Sequence, residues 1–344
     1  MGTRRIRNLT YGAGNLGVAL FYNTIQTWLI FFYVDVVRLD SRLVGLAFAV
    51  SYGVWNAVND PILGILTDRT RTRWGRRVPW IAAGGGSLLV SLIGSREPPQ
   101  GAREPAMPLL PAIQATLINR SFVSYMAADL MICFIWSWLS AMVPFFCKYA
   151  IRADESQTSL LFAGMFGSAL LFYPVWRKIT LRLGSKAALT LAVVLFVLFL
   201  LPLTAVRTFP QAVAMMFVVG AAHSGTMLVR EILLGDVIDE DELATGRRRE
   251  GSYFGVAAFI ERLVMILIGG ATGLVLTLSR YDPKAVVQPD SVGLGVRLGM
   301  GLLPAAALAV FLAAMRFYPL GRDRVTELRR RLEASRAPAP GAEP

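Results

Sequence analysis

The chain has 344 residues, of which 55% are hydrophobic and only 17% are charged, and its mean hydropathy is +0.52. A soluble domain carries roughly 25% charged residues, so this composition excludes a soluble protein and indicates an integral membrane protein. The formal net charge of +12 does not indicate nucleic-acid binding, because the arginines lie in short loops between apolar runs, where positive charge sets orientation in the membrane.

About nine apolar runs follow one another along the chain, each roughly 17 to 25 residues long, which suits helices crossing a hydrocarbon core rather than the short strands of a barrel. The predicted fold class is therefore all-α, a polytopic membrane protein. The predicted spans are residues 11–34, 42–66, 79–95, 121–147, 157–176, 187–206, 210–234, 252–278 and 293–318.

The second apolar run contains three polar residues, Asn56, Asn59 and Asp60, which share one face of the predicted helix. A carboxylate in hydrocarbon is costly unless it meets a cavity, a partner or an ion. Pro61 supplies no N–H and so frees the carbonyl of Ala57 one turn back. The converging oxygens predict a site for a coupling cation or proton, with an ion pair between Asp60 and a neighbouring arginine as the alternative.

The third run, residues 79–95, conflicts with the distribution of charge. The loops after residues 66, 176 and 234 and the final tail are basic, which predicts that they and both termini are cytoplasmic. An even number of crossings must then separate residue 78 from residue 96, and one short run cannot supply it. Either this run is re-entrant or interfacial, which Gly84–Gly86 favour, or the two halves have inverted orientations.

Candidate substrate-pathway residues lie in the second half of the chain. Asp129 is roughly 12 Å inside its span and needs a partner. Arg262 could neutralise Asp129 or Asp60, or it could contact an anionic substrate group. Glu261 is adjacent to Arg262, so the two address different surfaces of their helix. His223 could relay protons or could only pack through hydrogen bonds.

A run of acidic residues followed by basic residues comes after the seventh span. No His or Cys accompanies it, so it indicates a cytoplasmic network of ion pairs between helix ends rather than a metal site. Its members are Asp236, Asp239, Asp241, Arg248, Arg249 and Glu250. Gly269-x-x-x-Gly273 and Gly295-x-x-x-Gly299 are typical of closely packed helix faces. No nucleophile elbow, phosphate loop or zinc-protease motif is present, so we expect no enzyme, metal or cofactor.

Three motifs together resemble the glycoside-pentoside-hexuronide:cation symporters, the branch of the major facilitator superfamily that contains the melibiose carrier. They are YGAGNLG at 11–17, WNAVNDPILGILTDRTRTRWGRRVPW at 55–80 and GDVIDEDELATGRRREGSYFG at 235–255. The resemblance implies an incomplete helical bundle in which the family's helices four to six are absent at a junction near residues 88–98. The implied parts are a partial N-terminal bundle (1–95), a cytoplasmic linker with an amphipathic helix (96–120), a six-helix C-terminal bundle (121–318) and a disordered basic tail (319–344).

The resemblance also implies symport of a sugar or other small solute with a proton or sodium ion, by alternating access in a bacterial inner membrane. The family's cation site maps onto Asn56 and Asp60, and the single carboxylate favours coupling to a proton, or no coupling at all, over coupling to sodium. The family's gating loop maps onto Gly64, Asp68, Arg69, Gly75, Arg76 and Arg77. The family's sugar-binding aspartate falls at Ala19, so sugar specificity does not carry over.

Two functions stay open at this point. The first is a transporter, which a homo-oligomer could complete. The second is a non-transporting remnant, or a membrane binding protein of the same family.

Overall fold

The computed structural model describes residues 30–48, 116–246, 249–285 and 287–336, together with residues 50 and 114. Several sequence predictions fall outside these residues and stay predictions, and most of the linker 96–120 and the position of Ala19 belong with them. The others are the cation site of Asn56, Asn59 and Asp60, the gating loop from Gly64 to Arg77, the segment 79–95 and Arg248.

The described residues form α-helices joined by short connections, and no β-strand occurs among them. The helices are α1 (Ser41–Phe48), α2 (Arg120–Phe145), α3 (Glu155–Leu183), α4 (Ser185–Leu200), α5 (Phe209–Thr245), α6 (Glu250–Arg262), α7 (Val264–Leu278), α8 (Asp290–Phe317) and α9 (Arg322–Arg336). Short π-helical segments lie at Phe32–Val36, before α1, and at Phe146–Ala150, after α2. Leu201–Thr204 continues α4 as a 3₁₀ turn.

Six helical segments of the described chain are long and apolar enough to cross a membrane. They are Arg120–Ala150, Gln157–Leu183, Ser185–Thr204, Phe209–Thr245, Glu250–Leu278 and Asp290–Phe317. These segments correspond to the last six predicted spans, so the predicted all-α, polytopic class is confirmed. The helix α5 continues to Thr245, beyond the predicted end of its span at residue 234. The predicted span was too short because the last turns of α5 are polar, and hydropathy marks only the apolar part of a helix.

Short connections make successive spans antiparallel, so the bundle has two distinct ends. We call the end that carries the α3–α4, α5–α6 and α8–α9 connections the basic end, and the other the opposite end. The helices α3, α4 and α5 pack together, and α8 packs against α2. Trp138 of α2 is fully buried and its Nε1 donates to the carbonyl oxygen of Gly299 in α8, at 2.9 Å.

Two glycines permit a close contact between the backbones of α1 and α7. A Cβ on Gly269 of α7 would lie 2.4 Å from the carbonyl oxygen of Gly45 in α1, and a Cβ on Gly45 would lie 2.6 Å from that of Gly269. One turn on, a Cβ on Gly273 would sit 3.6 Å from the Cα of Arg42. The predicted close-packing role of Gly269 and Gly273 is thus confirmed.

The prediction of a disordered tail after residue 319 is wrong for residues 322–336, which form α9. Val325, Leu328 and Leu332 recur at helical spacing and are buried, so α9 has an apolar face that packs near α5. The composition of the tail indicates disorder because arginines dominate it. Three apolar residues on one face are nevertheless enough to anchor a helix.

Candidate functional site

A cluster of charged side chains lies inside the bundle, where α2, α5 and α6 meet. Arg230 of α5 occupies its centre. Its Nε lies 3.4 Å from Oδ1 of Asp129, and its Nη2 donates to Oε1 of Glu261 at 2.8 Å. Two of the predicted pathway residues, Asp129 and Glu261, are therefore brought together by a third residue that the sequence did not single out.

The cluster lies deep within the apolar part of the bundle. At 1.5 Å per helical residue, Asp129, Glu261 and Arg230 lie roughly 14, 17 and 22 Å from the basic ends of their helices. The side chain of Asp129 is 0% exposed and that of Arg230 is 13% exposed. Charges at such depth persist only when they face one another or a cavity, which explains why three helices converge here.

The charges in the cluster do not balance. Among the described residues, one guanidinium, which stays protonated in proteins, forms ion pairs with the two carboxylates of Asp129 and Glu261, so these three ionised side chains carry a net charge of −1. Glu231 also approaches Arg230, at 3.5 Å from Nε, but its side chain is 55% exposed and it lies at the rim. A cluster with one excess negative charge in a low-dielectric setting favours the uptake of a proton or a cation.

Asp129 also has unused hydrogen-bonding capacity. Its Oδ1 and the Nε of Arg230 are both buried and have no hydrogen-bond partner in the part of the chain that the structure describes, since their 3.4 Å contact is an ion pair without hydrogen-bond geometry. A buried acceptor that lacks a partner costs about 1–3 kcal/mol, and more when it is charged. Protonation of the Asp129 carboxyl would remove the excess charge.

Cys133 belongs to the same cluster, although its sequence context indicated only a small core residue. Its Sγ accepts from Nη1 of Arg230 at 3.2 Å and lies 3.8 Å from Oδ2 of Asp129, one helical turn away. Ligand atoms of Asp129, Cys133 and Glu261 lie within 4.8 Å of one another, a spacing that could hold a metal ion. The guanidinium of Arg230 contacts all three, however, so it already supplies the positive charge there.

The other two predicted pathway residues are Arg262 and His223. Asp129 forms its ion pair with Arg230, and the alternatives in which Arg262 neutralises Asp60 or contacts an anionic substrate group stay predictions. The ring of His223 stacks on Trp136, with centroids 4.3 Å apart, and its Nδ1 lies 3.2 Å from Oγ1 of Thr226. This aromatic environment favours the packing alternative for His223 over a proton relay.

The predicted network at the basic end is partly present among the described residues. Asp241 forms a two-pronged ion pair with Arg249, whose Nε donates to Oδ2 at 2.8 Å and whose Nη2 donates to Oδ1. Asp236 instead faces the tail helix, accepting from Nη2 of Arg329 at 2.8 Å and from the Ser185 hydroxyl at 2.7 Å. The network therefore joins α4, α5 and α9, a link that the run of charges in the sequence did not reveal.

A second polar contact, at the opposite end, was not predicted. The carboxylate of Asp35, whose side chain is 2% exposed, accepts from Nζ of Lys148, from the Tyr149 hydroxyl and, at 3.2 Å, from the Tyr281 hydroxyl. Burial and the neighbouring Asp35 carboxylate raise the pKa of the Tyr281 phenol, so this hydroxyl remains a donor. The contact ties the segment before α1 to the end of α2 and to the α7–α8 connection.

A bundle of six apolar helices with carboxylates and a guanidinium at its centre is the architecture of a polytopic membrane protein with a buried ionic site. A family model described as "MFS/sugar transport protein" matches residues 10–94 and 85–322. The chain therefore belongs to this family of the major facilitator superfamily, and the family predicted from its motifs is confirmed. The two matched segments overlap at residues 85–94, close to the predicted junction.

Named relatives are symporters. An uncharacterized symporter of Synechocystis sp. is 45% identical over 76 residues, which are 22% of this chain and 14% of that protein. The inner membrane symporter YicJ of Escherichia coli is 35% identical over 74 residues, 22% of this chain and 16% of its own length. The sodium-dependent lysophosphatidylcholine symporter 1 of Mus musculus is 22% identical over 259 residues, 73% of this chain and 48% of its own length. The matched stretches span less than half of each relative.

Proposed function

We propose that the protein is a proton-coupled symporter that moves a small solute across the bacterial inner membrane by alternating access. The observation that carries the proposal is the buried cluster of Asp129, Arg230 and Glu261, with its excess negative charge and its unsatisfied carboxylate oxygen. In the proposed cycle Asp129 takes up the coupling proton, and the neutralised cluster allows the bundle to change conformation. Membership in a sugar transport family and relatives named as symporters support this reading.

The ligand chemistry of the cluster favours a proton over sodium. Hard cations prefer several oxygen ligands. In this cluster a carboxylate oxygen of Glu261 already accepts a hydrogen bond from Arg230, and one of the three candidate ligand atoms is the sulfur of Cys133. A proton needs only the free oxygen of Asp129. Asp60, with Asn56 and Asn59, stays proposed as a second coupling carboxylate in the first half of the chain.

The proposed substrate is a sugar, from the description of the family, with a lysolipid as the second candidate because of the relative in Mus musculus. The proposed orientation places the basic end, the linker 96–120 and both termini in the cytoplasm, as positively charged loops favour. No enzymatic activity or nucleic-acid partner is proposed.

The test is substrate-dependent proton movement in proteoliposomes that contain a pH-sensitive dye. We expect at least one solute from a panel of sugars and lysophosphatidylcholine to drive internal acidification, and Asp129→Asn to abolish it. The matched control is Asp290→Asn, because Asp290 has a fully exposed side chain. Acidification that persists in Asp129→Asn, or that no solute induces, would contradict the proposal.

A non-transporting binding protein is the second candidate. The family model matches in two segments that meet at residues 85–94, which fits a first bundle without part of its pathway. This candidate predicts that a solute raises the melting temperature of the purified protein but never crosses the membrane of the proteoliposomes.

A further inference from the structure

A cleft of about 610 Å³ opens on the surface of the basic end, between α4 and the connection from α8 to α9. Its wall is formed by one face of α4, which includes Ala187, Thr190, Leu191 and Val194. Two cationic side chains also line the cleft: Lys186 at the start of α4 and Arg322 at the start of α9. No carboxylate is among the described residues that line it.

The wall of the cleft is apolar and lies along a membrane-crossing helix. Ala187, Leu191 and Val194 follow helical spacing, so they form a continuous stripe, and Ala187 and Leu191 are exposed. From Lys186 to Val194 the stripe is roughly 12 Å long, close to the roughly 15 Å thickness of one leaflet of the hydrocarbon core. An acyl chain fits a surface of this length and polarity.

The two cations are positioned by the backbone around them. Lys186 uses one of its three N–H donors on the carbonyl oxygen of Tyr318, at 2.6 Å, which leaves two donors for another acceptor. A Cβ on Gly184 would lie 3.0 Å from the Cβ of Arg322, so the missing side chain lets α9 begin against the α3–α4 turn. Neither cation forms an ion pair with another described residue.

We propose that this cleft binds an anionic phospholipid, with the phosphate between Lys186 and Arg322 and an acyl chain along the α4 stripe. Paired cations recognise a phosphate through charge-assisted hydrogen bonds. Basic residues where a helix meets the membrane surface attract anionic lipid. The apolar stripe identifies a lipid rather than a free anion as the occupant.

The test is lipid retention by the purified protein, measured by native mass spectrometry after addition of phosphatidylglycerol or phosphatidylcholine. We expect preferential retention of phosphatidylglycerol, and a loss of that preference by roughly tenfold in Lys186→Gln/Arg322→Gln. The matched control, Lys178→Gln/Arg330→Gln, removes the same charge from exposed positions outside the cleft and should keep the preference. Equal retention of both lipids, or an equal loss in both double variants, would overturn the proposal.

Two further arms separate a lipid from a free anion. Ala187→Trp fills the apolar wall without changing charge and should lower phosphatidylglycerol retention, whereas inorganic phosphate should not compete with the lipid. Complete competition by inorganic phosphate, or full retention in Ala187→Trp, would instead identify a site for the phosphate group alone.

Discussion

The side chain of Arg230 holds two carboxylates that would otherwise be isolated in a medium of low dielectric constant. Its ion pairs reach Asp129 at 3.4 Å and Glu261 at 2.8 Å, and each carboxylate comes from a different helix. Removing one member of a buried ion pair is far more damaging than removing a pair at the surface, because the remaining charge has no compensation.

Replacing Arg230 should therefore destabilise the fold strongly. We expect Arg230→Gln to lower the free energy of unfolding by about 3–5 kcal/mol, and Arg230→Gln/Asp129→Asn to recover part of that loss, since it removes one uncompensated charge. Denaturant unfolding of the protein in detergent measures both. As a control, Arg324→Gln breaks an exposed pair with Glu240 and should cost about 1 kcal/mol or less. If the double variant were no more stable than Arg230→Gln, the uncompensated charge of Asp129 would not be what destabilises the single variant, and this account would be contradicted.

The sequence predicted part of this site. Asp129 and Glu261 stand out because carboxylates are rare within apolar runs. Whether Arg230 or Arg262 pairs with Asp129 depends on how α5 and α6 are rotated against α2. The periodicity of a single sequence does not determine that rotation. Cys133 was missed because a thiol in an apolar run is usually a core residue, although its spacing of four from Asp129 places both on one face.

At the scale of helices, the tight crossing of α1 and α7 depends on two glycines, Gly45 and Gly269. Each lies against the backbone of the other, and no flexible side chain can move aside to admit a Cβ. The crossing is therefore a contact between backbones, of the kind that small residues permit in membranes.

A matched pair of glycines tests this crossing. Gly269→Val should force α1 and α7 apart and lower the melting temperature, whereas Gly270→Val should have little effect, because nothing lies within 4 Å of a Cβ at Gly270. Both changes put the same side chain into the same helix, so the difference between their melting temperatures isolates the contact. Equal melting temperatures would mean that α1 does not pack on Gly269 in the membrane.

The helices themselves were largely predictable, because the apolar length that crosses a bilayer is a strong signal. The last turns of α5 and the tail helix α9 were not. Both are polar, and they are ordered by contacts between distant residues, such as that of Arg329 with Asp236. Hydropathy identifies apolar segments long enough to cross a bilayer, and it gives no information about polar helices held at the ends of a bundle.

For the molecule as a whole, the contact around Asp35 connects the N-terminal part to the C-terminal bundle at the opposite end. Alternating access requires such contacts to break and reform as the two parts rock. Asp35 accepts hydrogen bonds from three residues of the C-terminal bundle, so its carboxylate is the member whose loss removes the whole contact.

Breaking this contact should expose Cys147, which precedes Lys148 and is 1% exposed. In a Cys133→Ser background, we expect Asp35→Asn to speed the labelling of Cys147 by an impermeant thiol reagent several-fold. Asp290→Asn, at the same end and fully exposed, should leave the rate unchanged. Identical rates in the two variants would show that Asp35 does not hold this end closed.

The most direct test of transport by rocking bundles is the sidedness of the linker at residue 100. Gln100→Cys and, separately, Arg152→Cys would be made in a Cys133→Ser/Cys147→Ser background and treated with an impermeant thiol reagent in intact cells. Arg152 is 85% exposed at the opposite end of the bundle, which is the outer surface in the proposed orientation. We expect Arg152→Cys to be labelled in intact cells, and Gln100→Cys to be labelled only after the cells are opened. Labelling of Gln100→Cys in intact cells would mean that residues 79–95 cross the membrane once and that the C-terminal bundle is inverted, which would contradict the proposed mechanism.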